Sequence, residues 1–508
     1  MSLPPLRSAT GTPNNMRDTY DFIIVGAGLS GINTAYRLKT EVPEASWTIL
    51  EGRDRIGGTW SFFKFPGIRS DSQLTTFGFP WRPWLNEKDM ASASLILEYI
   101  ESAARDEGID KKIQFQHQVT GLNWSSEEQL WTLEAEAPGK RQKTLKAKFL
   151  LGCTGYYSYE KPLQTEIPGL DRFRGVIAHP QFWPEDLKYA GKRVVVVGSG
   201  ATTVTVVPVL AQTAAHVTML QRSPSYVLSL DSVSPTGSFI KRRFPAWLAH
   251  PVNWWRCFLM EQLFVTFSLT FPNACRRLVR AEMKRQLPAS VPADVHFNPS
   301  YPPFDQRLCL TPDNEFFKAF HRDNCDIVTD KIETVVEDGI VTKSGRKIDA
   351  DIIVTATGLH VELLSGRTPV VDGVPIKISE QYAWKGAMLT NLPNAGSVTG
   401  YTTSSWTLGA DASVRLLLRV YKHMQRIGAT SVMPVLDAAT AGAEARAKPV
   451  IPHSSTYFLD ARDRLPKITG DSPWYGRISP LYDTWQLWFG SITKGMKYTI
   501  PSASKKNV

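Results

Sequence analysis

Short apolar runs of strand length recur along this 508-residue chain, and several stop abruptly at glycine. Phe22-Ile23-Ile24-Val25 is one such run, bounded by Gly26-Ala27-Gly28-Leu29-Ser30-Gly31, after which helical spacing continues to near Lys39. A second run, Trp47-Thr48-Ile49-Leu50, ends in Glu51. The order of strand, turn and helix returns at Arg193-Val194-Val195-Val196-Val197, Gly198-Ser199-Gly200-Ala201-Thr202-Thr203 and a helical Val204 to Leu210. The strand Val217 to Leu220 follows and ends at Gln221-Arg222. Between the two units the pattern predicts a helix over Ala91 to Ala104 and strands near Ile113–Phe115, Trp131–Ala135 and Phe149–Leu151, the last running into Cys153-Thr154-Gly155. Ile327-Val328 and Asp351 to Thr355 read as further strands, and the second closes on Ala356-Thr357-Gly358, so each unit ends alike. The aromatic stretch from Gly52 to Asp71, with Gly57-Gly58 and Pro66-Gly67, reads as a loop folded onto something flat. A helix is predicted from about Ala410 to Met424.

The first turn has the residue types that a pyrophosphate requires. Gly26 permits the tight turn, Gly28 lets the backbone approach the phosphates, and Gly31 lets helix pack on strand. The helix N-terminus supplies free N–H groups, so no basic side chain is needed. Glu51 stands about 20 residues on, where a carboxylate accepts hydrogen bonds from ribose hydroxyls, which implies an adenosine without a 2′-phosphate. In the second unit Thr203 takes the third glycine position, and Arg222 falls where Glu51 falls in the first. An arginine there pairs bidentately with a 2′-phosphate, so this turn is expected to prefer NADPH to NADH.

Residues 229–292 interrupt the second unit with an aromatic-rich helical insert that includes Trp254 to Val265. Arg256 and Glu261 break its apolar run below the ~20 residues of a spanning helix, which leaves a pocket wall, a core helix or a membrane-surface helix as readings. Hydrophobic residues at 43% and charged residues at 21% are ordinary for a globular chain, without the bias of a disordered or membrane class. The five cysteines, Cys153, Cys257, Cys275, Cys309 and Cys325, are scattered and include no CxxC pair, which argues against a disulfide framework, a metal site or a redox dithiol. A cytoplasmic setting is expected. The formal charge of +10 comes from Lys and Arg spread along the chain, which two anionic dinucleotides would in part explain; no nucleic-acid partner is expected. Residues 1–19 lack the apolar segment of a secretory signal and read as a disordered lead-in, and the last residues match no address signal.

Two longer patterns carry a resemblance. Phe173, Gly175, His179, Trp183 and Pro184 meet F-x-G-x-x-x-H-x-x-x-W-P, and Gly57, Gly58, Trp60, Phe65, Pro66, Gly67 and Asp71 meet G-G-x-W-x(4)-F/Y-P-G-x(3)-D. From about Tyr20 to Lys494 the chain resembles the class B flavoprotein monooxygenases of Baeyer–Villiger type. Its GSGATTVT, LQRSP, DQRLCL and GYTTSSWTL segments are most similar to the ethionamide-activating subgroup. The resemblance implies an α/β fold with two Rossmann-like dinucleotide-binding domains, one for FAD and one for NADPH, with a helical insert in the second. The FAD-binding domain would span 20–160 and return at 366–508, and the NADPH-binding domain would span 161–228 and 293–365.

It further implies that Gly26, Gly28, Ser30, Gly31, Glu51, Thr59, Trp60, Ser61, Phe62, Asp71 and Val119 contact FAD. Arg69, Ser70, Asp71, Gly198, Ser199, Gly200, Ala201, Thr202, Thr203, Val204, Arg222 and Ser223 would contact NADPH. Arg307 would be the catalytic arginine, oriented by Asp71, because an arginine keeps its charge where anionic oxygen species form. Gln306 stands where larger cyclic-ketone enzymes carry Lys, so phosphate recognition would rest more on Arg222. His179 is expected to act as a hydrogen-bonding or hinge residue rather than a base. The implied activity inserts one oxygen atom from O2 into a small organic substrate through a flavin C4a-peroxide, as Baeyer–Villiger oxidation of a ketone or as sulfoxidation. N-oxidation, a disulfide-reductase-type flavoenzyme and a non-catalytic flavin sensor are the alternatives, the second of which needs a redox cysteine pair that is missing. No metal is expected, membrane association is expected to be absent or at most peripheral, and the sequence leaves the oligomeric state open.

Overall fold

A computed structural model describes residues 18–436, 442 and 444–501, so the expected lead-in through residue 17 and the tail from 502 lie outside the described residues. The first sheet is built from β1 (Thr19–Val25), β2 (Trp47–Leu50), β3 (Ile113–Gln114), β4 (Gln118–Ser125), β5 (Leu130–Ala137) and β6 (Arg141–Gly152). Strands β6, β1, β2 and β3 are parallel neighbours, and β4, β5 and β6 form an antiparallel meander. The continuous apolar runs are the strands at the centre of this sheet: every residue of β2 is buried, because a parallel strand is covered on both faces. In β5 burial alternates along the first six residues, as expected of a strand with one face toward solvent. Strand β4, which carries Val119, lacks a clean alternation and was not foreseen.

Helix α1 (Leu29–Glu41) follows the first glycine turn. The stretch that reads as loop contains one helical turn, α2 (Thr59–Phe62), because Gly57 and Gly58 take φ of +119° and +53° and redirect the chain just before it. Helices α3 (Leu74–Phe77) and α4 (Ala93–Asp106) complete this part. The second sheet is fully parallel and runs Cys325–Thr329, β9 (His216–Gln221), β8 (Arg193–Val197), Ile352–Thr355 and β7 (Val176–Ala178). Helix α5 (Ala201–Leu210) follows β8, and α6 (Pro235–Arg243), α7 (Ala246–Thr270) and α8 (Pro272–Gln286) form the insert.

The chain then returns to the first sheet. Val370–Val371 pairs with β4 and Ala395–Ser397 with β6, both in parallel. The helix Trp406–Ile427, longer than its predicted core, lies against α1. There the half-buried Arg37 makes two hydrogen bonds to Asp411, of 2.7 and 3.0 Å, and Asn33 adds a third of 3.1 Å.

The two glycine turns close by the same device. Gly26 has a φ of +104°, and a Cβ there would lie 2.7 Å from the carbonyl oxygen of Cys153; Gly198 has a φ of +142°, and a Cβ would lie 2.3 Å from that of Ala356. Each unit's first turn is therefore packed against the end of its last strand. The third positions differ. A Cβ on Gly31 would lie 1.9 Å from the oxygen of Gly26, whereas Thr203 is accommodated and fully buried, so α5 stands farther from its turn than α1 does. Gly31→Val is expected to lower stability by about 1–3 kcal/mol through this backbone clash. Denaturant titration reads the shift in midpoint, and an unchanged midpoint would mean that α1 lifts freely.

Candidate functional site

The turns of both sheets open onto one cleft with a cavity volume of about 380 Å³. Gly26, Gly28, Ser30 and Glu51 line it from the first unit, and Ala201, Thr202 and Thr205 from the second. At Gly28 an added Cβ would meet only Gly58 backbone atoms, the nearest at 3.6 Å, and at Gly200 nothing within 4 Å, so both turns leave room for a ligand to approach the backbone. Glu51 ends β2 with its carboxylate accepting the N–H of Ala27 at 2.7 Å and that of Arg53 at 2.9 Å. Burial pushes this carboxyl upward, and these two N–H groups and the Arg53 charge pull it back. A carboxylate has further lone pairs, so a ribose could still bond to it.

Of the other residues singled out on the first unit, Thr59, Trp60 and Val119 line the cleft. Thr59 hydrogen-bonds with Tyr157, Trp60 packs edge-on against Phe77, and Ser30 accepts a 3.0 Å bond from the indole of Trp406. Ser61 and Phe62 do not line it: Ser61 is buried and accepts a 2.9 Å bond from Arg53, and Phe62 sits in a cluster with Phe63, Tyr159 and Phe182.

A bidentate ion pair in the cleft joins distant segments. Arg307 donates from Nε and Nη2 to the two carboxylate oxygens of Asp71, at 3.0 and 2.6 Å. This bidentate geometry holds the guanidinium in one plane. Arg307 lines the cleft with 43% of its side chain exposed, and Asp71 raises its hold on the proton above the ordinary arginine value, against the effect of desolvation. Tyr156 and Tyr457 stand close enough to add to that effect. Arg69 lines the same wall; one of its terminal nitrogens donates to the carbonyl of Leu310 at 3.3 Å, and the other, Nη2, is buried without a partner in the protein. Such an unpaired donor is costly unless a ligand accepts from it. Ser70, beside it, bonds locally to Ser72.

In the second turn, Gly198, Ser199 and Gly200 precede α5, and Ser199 accepts a 3.0 Å bond from Ser225. Thr203 and Val204 are buried on α5, and the hydroxyl of Thr203 has no hydrogen-bond partner. Arg222 and Ser223 are exposed just beyond β9, and Arg222 donates to Thr456 at 2.9 Å. His179 follows β7 and caps a short turn by accepting the N–H of Gln181 at 3.2 Å; burial lowers its pKa, and it lines neither cavity.

A second, mostly apolar cavity of about 120 Å³ adjoins the first and shares Tyr156, Arg307, Tyr401 and Trp406 with it. Met388, Leu389, Val450, Phe458 and Leu465 complete much of its wall. These side chains come from the C-terminal part of the chain, and residues 229–292 line neither cavity, so the insert is not the pocket wall. His453, Tyr401 and Tyr457 were missed as site residues; the only local signal was the GYTTSSWTL segment around Tyr401, because sequence spacing gives no hint that these groups meet Arg307.

A family model described as flavin-binding monooxygenase-like matches residues 20–264. The chain is 44% identical to the FAD-containing monooxygenase EthA of Mycolicibacterium smegmatis, over 92% of this chain and 94% of that protein. It is 40% identical to the EthA of Mycobacterium tuberculosis, over 90% and 93%. The chain belongs to the flavin-binding monooxygenase-like family, as the two sequence patterns led us to expect. Among solved structures its fold is similar to an oxidised steroid monooxygenase bound to NADP, with a TM-score of 0.74, 22% identity and coverage of 95% of this chain and 100% of that one. A cyclohexanone monooxygenase holding ε-caprolactone gives a TM-score of 0.73 at 20% identity, with the same coverage. These likenesses support the two-unit α/β fold. Among the described residues no helix is long and apolar enough to cross a membrane, and no three His, Cys, Asp or Glu side chains group as metal ligands.

His453 gives this region a pH signature. It is buried, bonds to Ser455 at 3.2 Å, and is held down to about 4 from an ordinary 6.5 by burial and by the charge of Arg307. Because the unfolded chain takes up the proton first, this contribution is complete above about pH 6.5 and is lost as pH falls from 6.5 toward 4, up to about 3 kcal/mol. His453→Gln is expected to flatten the dependence of stability on pH in that window. Equal slopes for wild type and variant in denaturant titrations would contradict it.

Proposed function

We propose that this chain is an FAD- and NADPH-dependent monooxygenase that inserts one atom of O2 into a small apolar substrate, at a ketone in Baeyer–Villiger fashion or at sulfur. The observation that carries this reading is the fixed Arg307–Asp71 pair facing a cleft onto which two dinucleotide-type turns open. FAD fits the first turn: Gly28 leaves the backbone open to phosphates, Glu51 ends β2 at the ribose position, and Thr59, Trp60 and Val119 line the adjoining wall. NADPH fits the second, with Gly200 open, Arg222 free to turn from Thr456 to a 2′-phosphate, and Arg69 on the cleft wall with one buried donor unpaired. Bound together, a reduced flavin and a nicotinamide supply the hydride and oxygen chemistry.

The chain's own contribution is positional and electrostatic. Arg307 offers a cation that cannot lose its proton to any anionic oxygen species formed beside it. Asp71 aligns that cation by two hydrogen bonds. The smaller cavity places the apolar body of a substrate next to Arg307, and its wall of Met388, Val450, Phe458 and Leu465 excludes water from the reacting centre.

Arg307→Ala is expected to keep its flavin and to be bleached by NADPH, while product from a ketone and thioether panel falls by about 10²–10³, the usual effect of removing one such stabilising group. Unchanged product formation would refute the role of Arg307. Arg222→Ala is expected to raise KM for NADPH about ten- to a hundredfold, as loss of a charge-assisted pair does, and to leave KM for NADH unaltered. Equal effects on both cofactors would move the 2′-phosphate site elsewhere.

A further inference from the structure

We propose that the outer face of α7 docks onto an anionic lipid bilayer, lying in the headgroup layer without crossing it. The helix is inside out relative to an ordinary surface helix. Its two charged side chains and Gln262 turn into the protein, leaving Thr266 and Thr270 as exposed polar residues: Arg256 donates to Asn253 at 2.9 and 3.0 Å and to Ser234 at 3.1 Å, Glu261 accepts the N–H of Ser405 at 3.1 Å, and Gln262 donates to Ser404 at 3.2 Å. Its apolar groups point outward. Trp247, Trp255, Met260, Leu263 and Leu269 expose 77%, 52%, 62%, 66% and 63% of their surface, and no charged residue of this 25-residue helix is exposed. Phe244 and Phe271, at its two ends, are exposed as well. A helix covers about 1.5 Å per residue, so this uncharged strip runs on the order of 35 Å along the surface. A contiguous apolar area of that kind marks a contact surface rather than ordinary solvent-facing side chains.

The charge around the strip selects its occupant. Lys and Arg occur throughout the chain, but residues 235–286 hold nine of them against two Glu, a net +7 within the whole chain's +10. Eight of the nine flank α7, and the ninth, Arg256, is the one turned inward: Lys241, Arg242 and Arg243 end α6, and Arg276, Arg277, Arg280, Lys284 and Arg285 lie on α8, where Arg280 pairs with Asp294 and Arg285 with Glu282. A second copy docked through this face would set two strongly positive surfaces against each other. An anionic bilayer satisfies both features at once, since indole rings settle at headgroup depth and flanking cations meet the lipid phosphates. The inward direction of Arg256 and Glu261 keeps the strip apolar.

The test uses the flavin-loaded full chain and vesicles of phosphatidylcholine alone or in equimolar mixture with phosphatidylglycerol. Wild type is expected to co-sediment at least about tenfold more strongly with the mixed vesicles and to be partly released by salt. Lipids brominated on their acyl chains are expected to quench its tryptophan fluorescence, a readout that needs no variant. The double variant Trp255→Glu, Leu263→Glu is expected to stay in the supernatant while keeping wild-type flavin content and NADPH oxidation. Wild type that remains soluble with mixed vesicles would overturn the proposal. So would a variant that sediments unchanged, or a dimer seen by light scattering that the double substitution dissolves.

Discussion

The contact between Arg307 and Asp71 joins parts of the chain 236 residues apart and holds a cation on the wall of the cleft. Asp71 follows the aromatic stretch attached to the first sheet, and Arg307 follows the insert of the second. With 43% of its side chain exposed, the guanidinium needs a partner less to offset burial than to hold it in one orientation. The two donated bonds supply that partner and also restrict rotation of the side chain. The cation is thus held in place on the cleft wall before any ligand arrives, which is the preorganisation that the role proposed for Arg307 requires.

Around that pair the two halves are built on one plan with one divergence. In each, the first glycine of the turn is pressed against a carbonyl at the end of the last strand, so a side chain there would collide with backbone. At the third position the plans separate, glycine in one half and buried Thr203 in the other. The weaker motif of the second turn thus reflects a wider gap between helix and strand and does not signal a lost site.

Much of this was readable locally. Buried parallel strands leave uninterrupted apolar runs, glycine is required where φ is positive or backbones touch, and Glu51 and Arg222 stand at equivalent strand ends. Arg307 carries no such local mark and was found through resemblance to a family. Tyr401, His453 and Tyr457 were not found at all, since their meeting depends on the C-terminal segment folding back beside Arg307. The insert misled in a different way: its aromatic richness suggested a pocket wall, yet it lines neither cavity, and its apolar side faces outward.

By itself the sequence located the buried central strands and the turns that present backbone N–H groups, because these follow from side-chain periodicity and from the few conformations that glycine alone adopts easily, and its longer motifs pointed to the family. Only the tertiary structure decided which side chains surround Arg307 and which way α7 faces. Both depend on contacts between residues far apart in the chain, and a helix with apolar and polar positions on opposite sides carries no statement of which side the rest of the protein covers.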